Sequence, residues 1–132
     1  MVLIFSYFVD FQFFLISPYN PIVYADVISC DPAGPFLKTC DGTEDDDIME
    51  GNSERNSIYG LGGDDKLVGG AGNDGLHGGR GDDELTGGPG DDLLFGSPGR
   101  DSFDCGLGND QIIHFNLSEG DTKSNDCESR WP

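Results

Sequence analysis

Positive charge is what this chain most conspicuously lacks: 7 Lys and Arg stand against 25 Asp and Glu, giving a formal net charge of -18. That argues against nucleic acid as a partner, since binding it requires a basic surface. Catalytic signatures are missing as well. There is no HExxH, GxSxG or P-loop spacing, and the chain holds only 2 His, so the usual metal-hydrolase, nucleophile-elbow and phosphate-loop chemistries lack their residues. No CxxC or Cys/His cluster offers zinc its ligand spacing. After residue 25 no apolar run approaches the ~20 residues that a membrane-spanning helix needs, so the mature protein is expected to be soluble and not membrane-embedded.

The first 25 residues are of another kind. They hold most of the Phe and Tyr and no Lys or Arg, and they end in Val23-Tyr24-Ala25, with small residues where a signal peptidase reads. Asp10, Pro18 and Pro21 interrupt the run, which favours a cleaved signal peptide over an anchor, with cleavage before Asp26. An exported chain is expected to oxidise its 4 cysteines, Cys30, Cys40, Cys105 and Cys127, into two disulfides. Three connectivities are possible. Local pairing, Cys30–Cys40 and Cys105–Cys127, would staple both ends of whatever lies between.

What lies between is a grid. Cut every nine residues from Gly42, the chain reads GTEDDDIME, GNSERNSIY, GLGGDDKLV, GGAGNDGLH, GGRGDDELT, GGPGDDLLF, GSPGRDSFD and CGLGNDQII, with no insertion from 42 to 113. Position one is Gly except at Cys105. Position eight is always apolar: Met49, Ile58, Leu67, Leu76, Leu85, Leu94, Phe103 and Ile112. Glycines at positions one, two and four permit the positive φ angles of a tight turn. Positions seven to nine are too few for a helix and suit a short strand with one side chain inward. One turn plus one strand buries nothing alone, so the units must stack as a solenoid.

Position six then needs an explanation. It is Asp47, Asn56, Asp65, Asp74, Asp83, Asp92, Asp101 and Asp110. Coils stacked at the strand spacing of ~4.8 Å would set these carboxylates against one another, at a repulsion of about 3 kcal/mol per pair for an effective dielectric near 20. Solvated acidity explains scattered acids, not one fixed column among glycines. A hard dication between coils reverses the sign. Calcium suits the place because it accepts many oxygens, backbone carbonyls included, in flexible geometry, whereas magnesium keeps its waters.

The units GGAGNDGLH, GGRGDDELT and GGPGDDLLF resemble the RTX, or hemolysin-type, calcium-binding nonapeptide repeat. The resemblance covers residues 60–113, with two degenerate units before. It implies an all-β, right-handed parallel β-roll of two nonapeptides per coil, with calcium between turns eighteen residues apart. One edge would then use Asp47, Asp65, Asp83 and Asp101, and the other Asn56, Asp74, Asp92 and Asp110. Three gaps per edge make up to six ions. Carbonyls of Gly69, Gly70, Gly72, Gly78, Gly79, Gly81, Gly87, Gly88 and Gly90 would complete the shells. Met49, Leu67, Leu85 and Phe103 would form one side of the core, and Ile58, Leu76, Leu94 and Ile112 the other. Asn56 offers only a neutral oxygen and Arg55 stands beside it. Asp45 and Glu54 replace the turn glycines of position four, which marks the first two units as caps.

The expected layout is a signal peptide (1–25), an N-terminal cap segment (26–41), the roll (42–113) and a C-terminal cap segment (114–132). The function expected of it is calcium binding outside the cell, with folding or stabilisation on binding and no catalysis. Adhesion, a matrix role, or service as an accessory module of a secreted enzyme are the alternatives. Acid pairs such as Asp64-Asp65 and Asp82-Asp83 suggest glycosidase chemistry in isolation, but their recurrence in successive units favours structure. Arg80-Gly81-Asp82 spells a cell-attachment tripeptide that the repeat template itself generates. Asn116-Leu117-Ser118 is a glycosylation sequon. His77, at a variable position, is expected on the surface.

Overall fold

The computed structural model describes residues 26–30 and 39–127; the expected signal peptide lies outside them. Within these residues there are strands and no helix: β1 (Asp26–Ser29), β2 (Thr39–Asp41), β3 (Asp47–Glu50), β4 (Ser57–Gly62), β5 (Lys66–Val68), β6 (Gly75–Arg80), β7 (Glu84–Pro89), β8 (Leu93–Phe95), β9 (Ser102–Leu107), β10 (Gln111–Ile113) and β11 (Thr122–Lys123). They form two sheets, in the orders β1-β3-β5-β7-β9-β11 and β10-β8-β6-β4-β2. Every pairing is parallel. Successive strands alternate between the sheets, so the chain winds as a flattened solenoid of about five turns. No described helix is long and apolar enough to cross a membrane.

The register follows the nine-residue grid taken two units at a time. Met49 pairs with Leu67, Leu67 with Leu85 and Leu85 with Phe103 in one sheet. Ile58, Leu76, Leu94 and Ile112 line up in the other. These eight side chains, none more than 8 % exposed, are the core. One inward residue per unit makes that core a single file of apolar side chains from each sheet. Parallel pairing needs no more, because a one-residue slip would turn each inward side chain out to water.

Two features exceed the three-residue strands that the grid predicts. Strands β4, β6, β7 and β9 have 6 residues each, running on into the following turn. The solenoid also outlasts the grid: β1 and β2 precede it and β11 follows it. The disulfides join Cys30 to Cys40 and Cys105 to Cys127, the local pairing, one at each end of the array. No free cysteine remains among the described residues, so thiolate ligation of zinc is ruled out there.

The two outward faces differ. Position nine of the five-stranded sheet places Tyr59, His77 and Phe95 one above the other, with ring centroids 4.6 and 4.3 Å apart. His77 is therefore not a free surface residue. It is half-buried between two rings, and burial lowers its pKa. On the six-stranded sheet the outward side chains include the ion pair Lys66–Glu84, at 2.9 Å.

Candidate metal centre

At position six the backbone is leaving the turn and entering the strand, and the carboxylate extends the ladder by one rung. Oδ1 of Asp65 accepts the Asp47 N–H at 2.8 Å, Oδ1 of Asp83 accepts that of Asp65 at 2.9 Å, and Oδ1 of Asp101 that of Asp83 at 3.1 Å. The opposite edge repeats the arrangement. Asp74 accepts from Asn56, Asp92 from Asp74 and Asp110 from Asp92, at 2.7 to 2.8 Å. Each Asp of one coil thus grips the coil before it. All of these side chains are buried, at 1–3 % exposure.

The second oxygen is the anomaly. Oδ2 of Asp65, Asp74, Asp83, Asp92 and Asp101 is buried and has no hydrogen-bond partner. A buried acceptor without a donor costs about 1–3 kcal/mol, more when it is charged. Desolvation accordingly raises the pKa of these groups: Asp83 to about 7, and Asp92 and Asp101 to about 6, with Asp65 and Asp74 raised too. The ladder hydrogen bond opposes the rise in each case. Neighbouring carboxylates add to it for all but Asp74, where Arg55 lowers it instead.

The surroundings of that oxygen are those of a cation site. Gly69 has no Cβ; one placed there would sit 2.7 Å from Asp74 Oδ2 and 2.8 Å from the carbonyl oxygen of Gly87, one coil on. The same point beside Gly87 lies 2.5 Å from Asp92 Oδ2 and 2.7 Å from the Cys105 carbonyl oxygen. A carboxylate and a carbonyl therefore converge with no proton between them. Such a pair repels unless something positive shares it. Hard oxygens, anionic and carbonyl together, are the donor set that a dication of calcium's kind takes, so the residues fit that ion. Among the described residues no three His, Cys, Asp or Glu side chains form a metal cluster; backbone oxygens must supply much of any shell.

Eight of the nine glycines with which the resemblance completes the shells fall into two groups. The carbonyls of Gly69, Gly78 and Gly87 point back beside Gly51, Gly60 and Gly69, next to Asn56 Oδ1, Asp65 Oδ2 and Asp74 Oδ2 respectively. Those of Gly70, Gly72, Gly81, Gly88 and Gly90 lean forward against the next coil. Gly79, like Gly72, has a positive φ. At Gly72 the angle is 115° and a Cβ would meet the Glu54 carbonyl at 2.8 Å, so only glycine fits.

Asp47 and Asn56 behave differently from the interior of their columns. Oδ2 of Asp47 accepts both the backbone N–H and the hydroxyl of Thr43, at 2.7 and 3.0 Å. Oδ1 of Asn56 accepts the Asn52 N–H at 3.0 Å. The first turn on each edge is closed by its own donors.

Three elements of the site escape the nine-residue reading. Asp121, 3 % exposed, accepts the Asp101 N–H at 3.0 Å and adds a fifth rung to its edge. Its separation from Asp101 is 20 instead of 18, so it falls out of phase; allowing a two-residue insertion in "HFNLSEGDT" recovers it. Its Oδ2 accepts the Asn116 N–H, another self-closed turn. The second element is position five, where side chains tie coils in the opposite direction: Asp46, Asp64 and Asp82 accept from Asp64, Asp82 and Arg100, and Asn73 and Asp91 from Asp91 and Asn109, at 2.8 to 3.1 Å. The third is the ion pair of Asp82 with Arg100, at 2.8 Å. It engages the acid of the Arg80-Gly81-Asp82 tripeptide.

A family model described as the RTX calcium-binding nonapeptide repeat (4 copies) matches residues 41–76 and 77–112. Comparison with curated proteins and with solved structures returns no match.

Proposed function

The chain belongs to the RTX calcium-binding nonapeptide repeat family, and on that premise we propose that it is an exported, non-catalytic β-roll whose interior turns are held together by calcium. One observation carries the reading: the row of buried Oδ2 atoms at Asp65, Asp74, Asp83, Asp92 and Asp101, each without a donor. The ion would supply the positive charge those oxygens lack, and Asp110 is the next rung of the ladder on the second edge. Carbonyls of Gly78, Gly87 and Cys105 are the nearest supplementary ligands, whereas that of Gly69 lies beside Asn56 Oδ1 and enters the shells only through the family resemblance. Gly70, Gly72, Gly79, Gly81, Gly88 and Gly90 belong to the shells only through the family resemblance. Asp47 and Asn56 are assigned here to closing the ladder, since their oxygens already accept hydrogen bonds.

The array 42–113 is the ion-binding part, and the segments 26–41 and 114–132 are its caps. Export is supported by the two disulfides, which persist in oxidising surroundings, and by the leader expected over 1–25. Extracellular calcium modules bind at dissociation constants on the order of 10⁻⁴–10⁻³ M, and calcium well above that range stabilises the form that binds it. The absence of catalysis is supported by the place of the acid pairs, which serve as rungs between coils.

Far-ultraviolet circular dichroism of the full chain, in chelator and then in millimolar calcium, tests the proposal. The strand signal is expected to grow on adding calcium. An identical spectrum in both, with no calcium retained in native mass spectrometry, would refute it.

A further inference from the structure

The two edges of the roll are unequal. Along one run the turns 42–47, 60–65, 78–83, 96–101 and 114–121, whose rungs are Asp47, Asp65, Asp83, Asp101 and Asp121. These turns hold eleven carboxylates and two guanidinium groups, Arg80 and Arg100. Along the other run the turns 51–56, 69–74, 87–92 and 105–110, with five carboxylates and one guanidinium, Arg55. Its first rung is the neutral Asn56.

The excess is held where an ion would feel it. Asp64 and Asp82 are exposed yet pinned to the edge, because each accepts a backbone N–H of the next coil, at 2.8 and 2.9 Å, and Asp82 also pairs with Arg100. On the second edge the corresponding places are taken by one amide and one acid, Asn73 and Asp91. Both edges carry buried, partnerless Oδ2 atoms, so both have sites: Asp65, Asp83 and Asp101 on the first, Asp74 and Asp92 on the second. What differs is the field around them. Extra carboxylates one coil away lie within a Debye length of ~8 Å at physiological salt, so they are not screened out.

We propose that the roll has two classes of calcium site, one along each edge, and that the acidic edge, continued into the C-terminal cap by Asp121, fills at lower calcium than the edge begun by Asn56. This rests on the calcium reading above. The order follows from Coulomb attraction: a dication gains more from the carboxylate-rich edge, and Arg55 repels it at the start of the other. Free calcium then sets two states beyond the empty one, half-loaded along one edge and fully loaded along both.

The test is a calcium titration of the full chain followed by native mass spectrometry and calorimetry, from about 10 µM to 10 mM, the range that brackets extracellular modules. Two binding steps are expected, with midpoints about tenfold apart. Asp83→Asn should remove ions from the first step and Asp74→Asn from the second. The triple variant Asp46→Asn, Asp64→Asn, Asp82→Asn keeps every acceptor oxygen while removing three charges, and should merge the steps without changing the total. If it folds poorly, Asn73→Asp with Asn109→Asp, which adds charge to the other edge, should draw the second step toward the first. A single step in the wild type overturns the two classes and leaves calcium binding standing, as does separation unmoved in both charge variants. No bound calcium at any concentration overturns both.

Discussion

The terminal and interior turns present the same problem with different solutions. In both, a buried position-six side chain must satisfy its oxygens, and Asp121 and the interior acids use one of them to hold the coil before. At the ends, Thr43, Asn52 and Asn116 supply an N–H to the carboxylate or amide of their own turn. In the interior the glycines leave the other oxygen facing a carbonyl. The self-closed turns are complete as folded; the glycine turns require a cation to be so. On the proposed calcium reading, metal dependence belongs to the glycine turns, whereas the turns of Asp47, Asn56 and Asp121 are closed by their own donors.

The largest expected effect comes from cutting an interior rung. Asp83→Ala removes the acceptor for the buried Asp65 N–H as well as a ligand, so destabilisation in calcium should reach about 3 kcal/mol or more, with fewer ions in the native mass spectrum. Asp47→Ala should leave the ion count unchanged. A sharper contrast is Asp83→Asn, which keeps the ladder oxygen but not the charge. It should stabilise the calcium-free protein and destabilise the calcium-loaded one, measured by thermal melts in chelator and in calcium. The same sign in both conditions would contradict the assignment.

Acidity sharpens the comparison next. Interior carboxylates have folded pKa values raised above the ordinary 3.8, to about 7 at Asp83 and about 6 at Asp92 and Asp101. The folded, calcium-free protein thus binds more protons than the unfolded chain between those limits. The contribution of these groups to its stability is complete below pH ~4 and is lost as pH rises through 6 to 7. Calcium competes with these protons, so its binding midpoint should rise as pH is lowered from 8 to 6. Denaturant titrations in chelator, set beside calcium titrations across that interval, would show the opposite trends.

Smaller effects belong to the ends and the turn backbone. Thr43→Ala deletes the hydroxyl donor and keeps the N–H to Asp47, at a cost of about 1 kcal/mol and no lost ion. Leu61 and Ser97 occupy position two with φ of 83° and 84°, where the full repeat has glycine. Leu61→Gly should stabilise the roll by about 1 kcal/mol by relieving that strain, read as a small rise in melting temperature.

The nine-residue period was enough to predict the parallel stack, the single-file core and the position-six column, because each follows from one inward residue and one turn per unit. Other features need the eighteen-residue period of neighbouring coils. Tyr59, His77 and Phe95 look like variable residues at position nine until alternate units are superposed. The position-five ties mix Asp and Asn, and only the coil pairing reveals that both serve as acceptors. Asp121 is hidden by two additional residues, and Thr43, Asn52 and Asn116 by the fact that the donor is mostly backbone, which any residue but proline carries. The charge difference between the edges was present in the composition of alternate turns, yet it has no meaning until each turn is assigned to its side.

Position six reaches backward along the chain and position five forward, so adjoining coils clasp each other from both directions. This makes the coil, not the nonapeptide, the unit by which the array can lengthen. Duplicating eighteen residues would renew every clasp and keep both outer surfaces. Duplicating nine would exchange left for right in everything downstream: the stacked rings would meet the Lys66–Glu84 surface, and Asp121 would arrive on the flank opposite Asp101. Growth of such a chain is expected in even steps only.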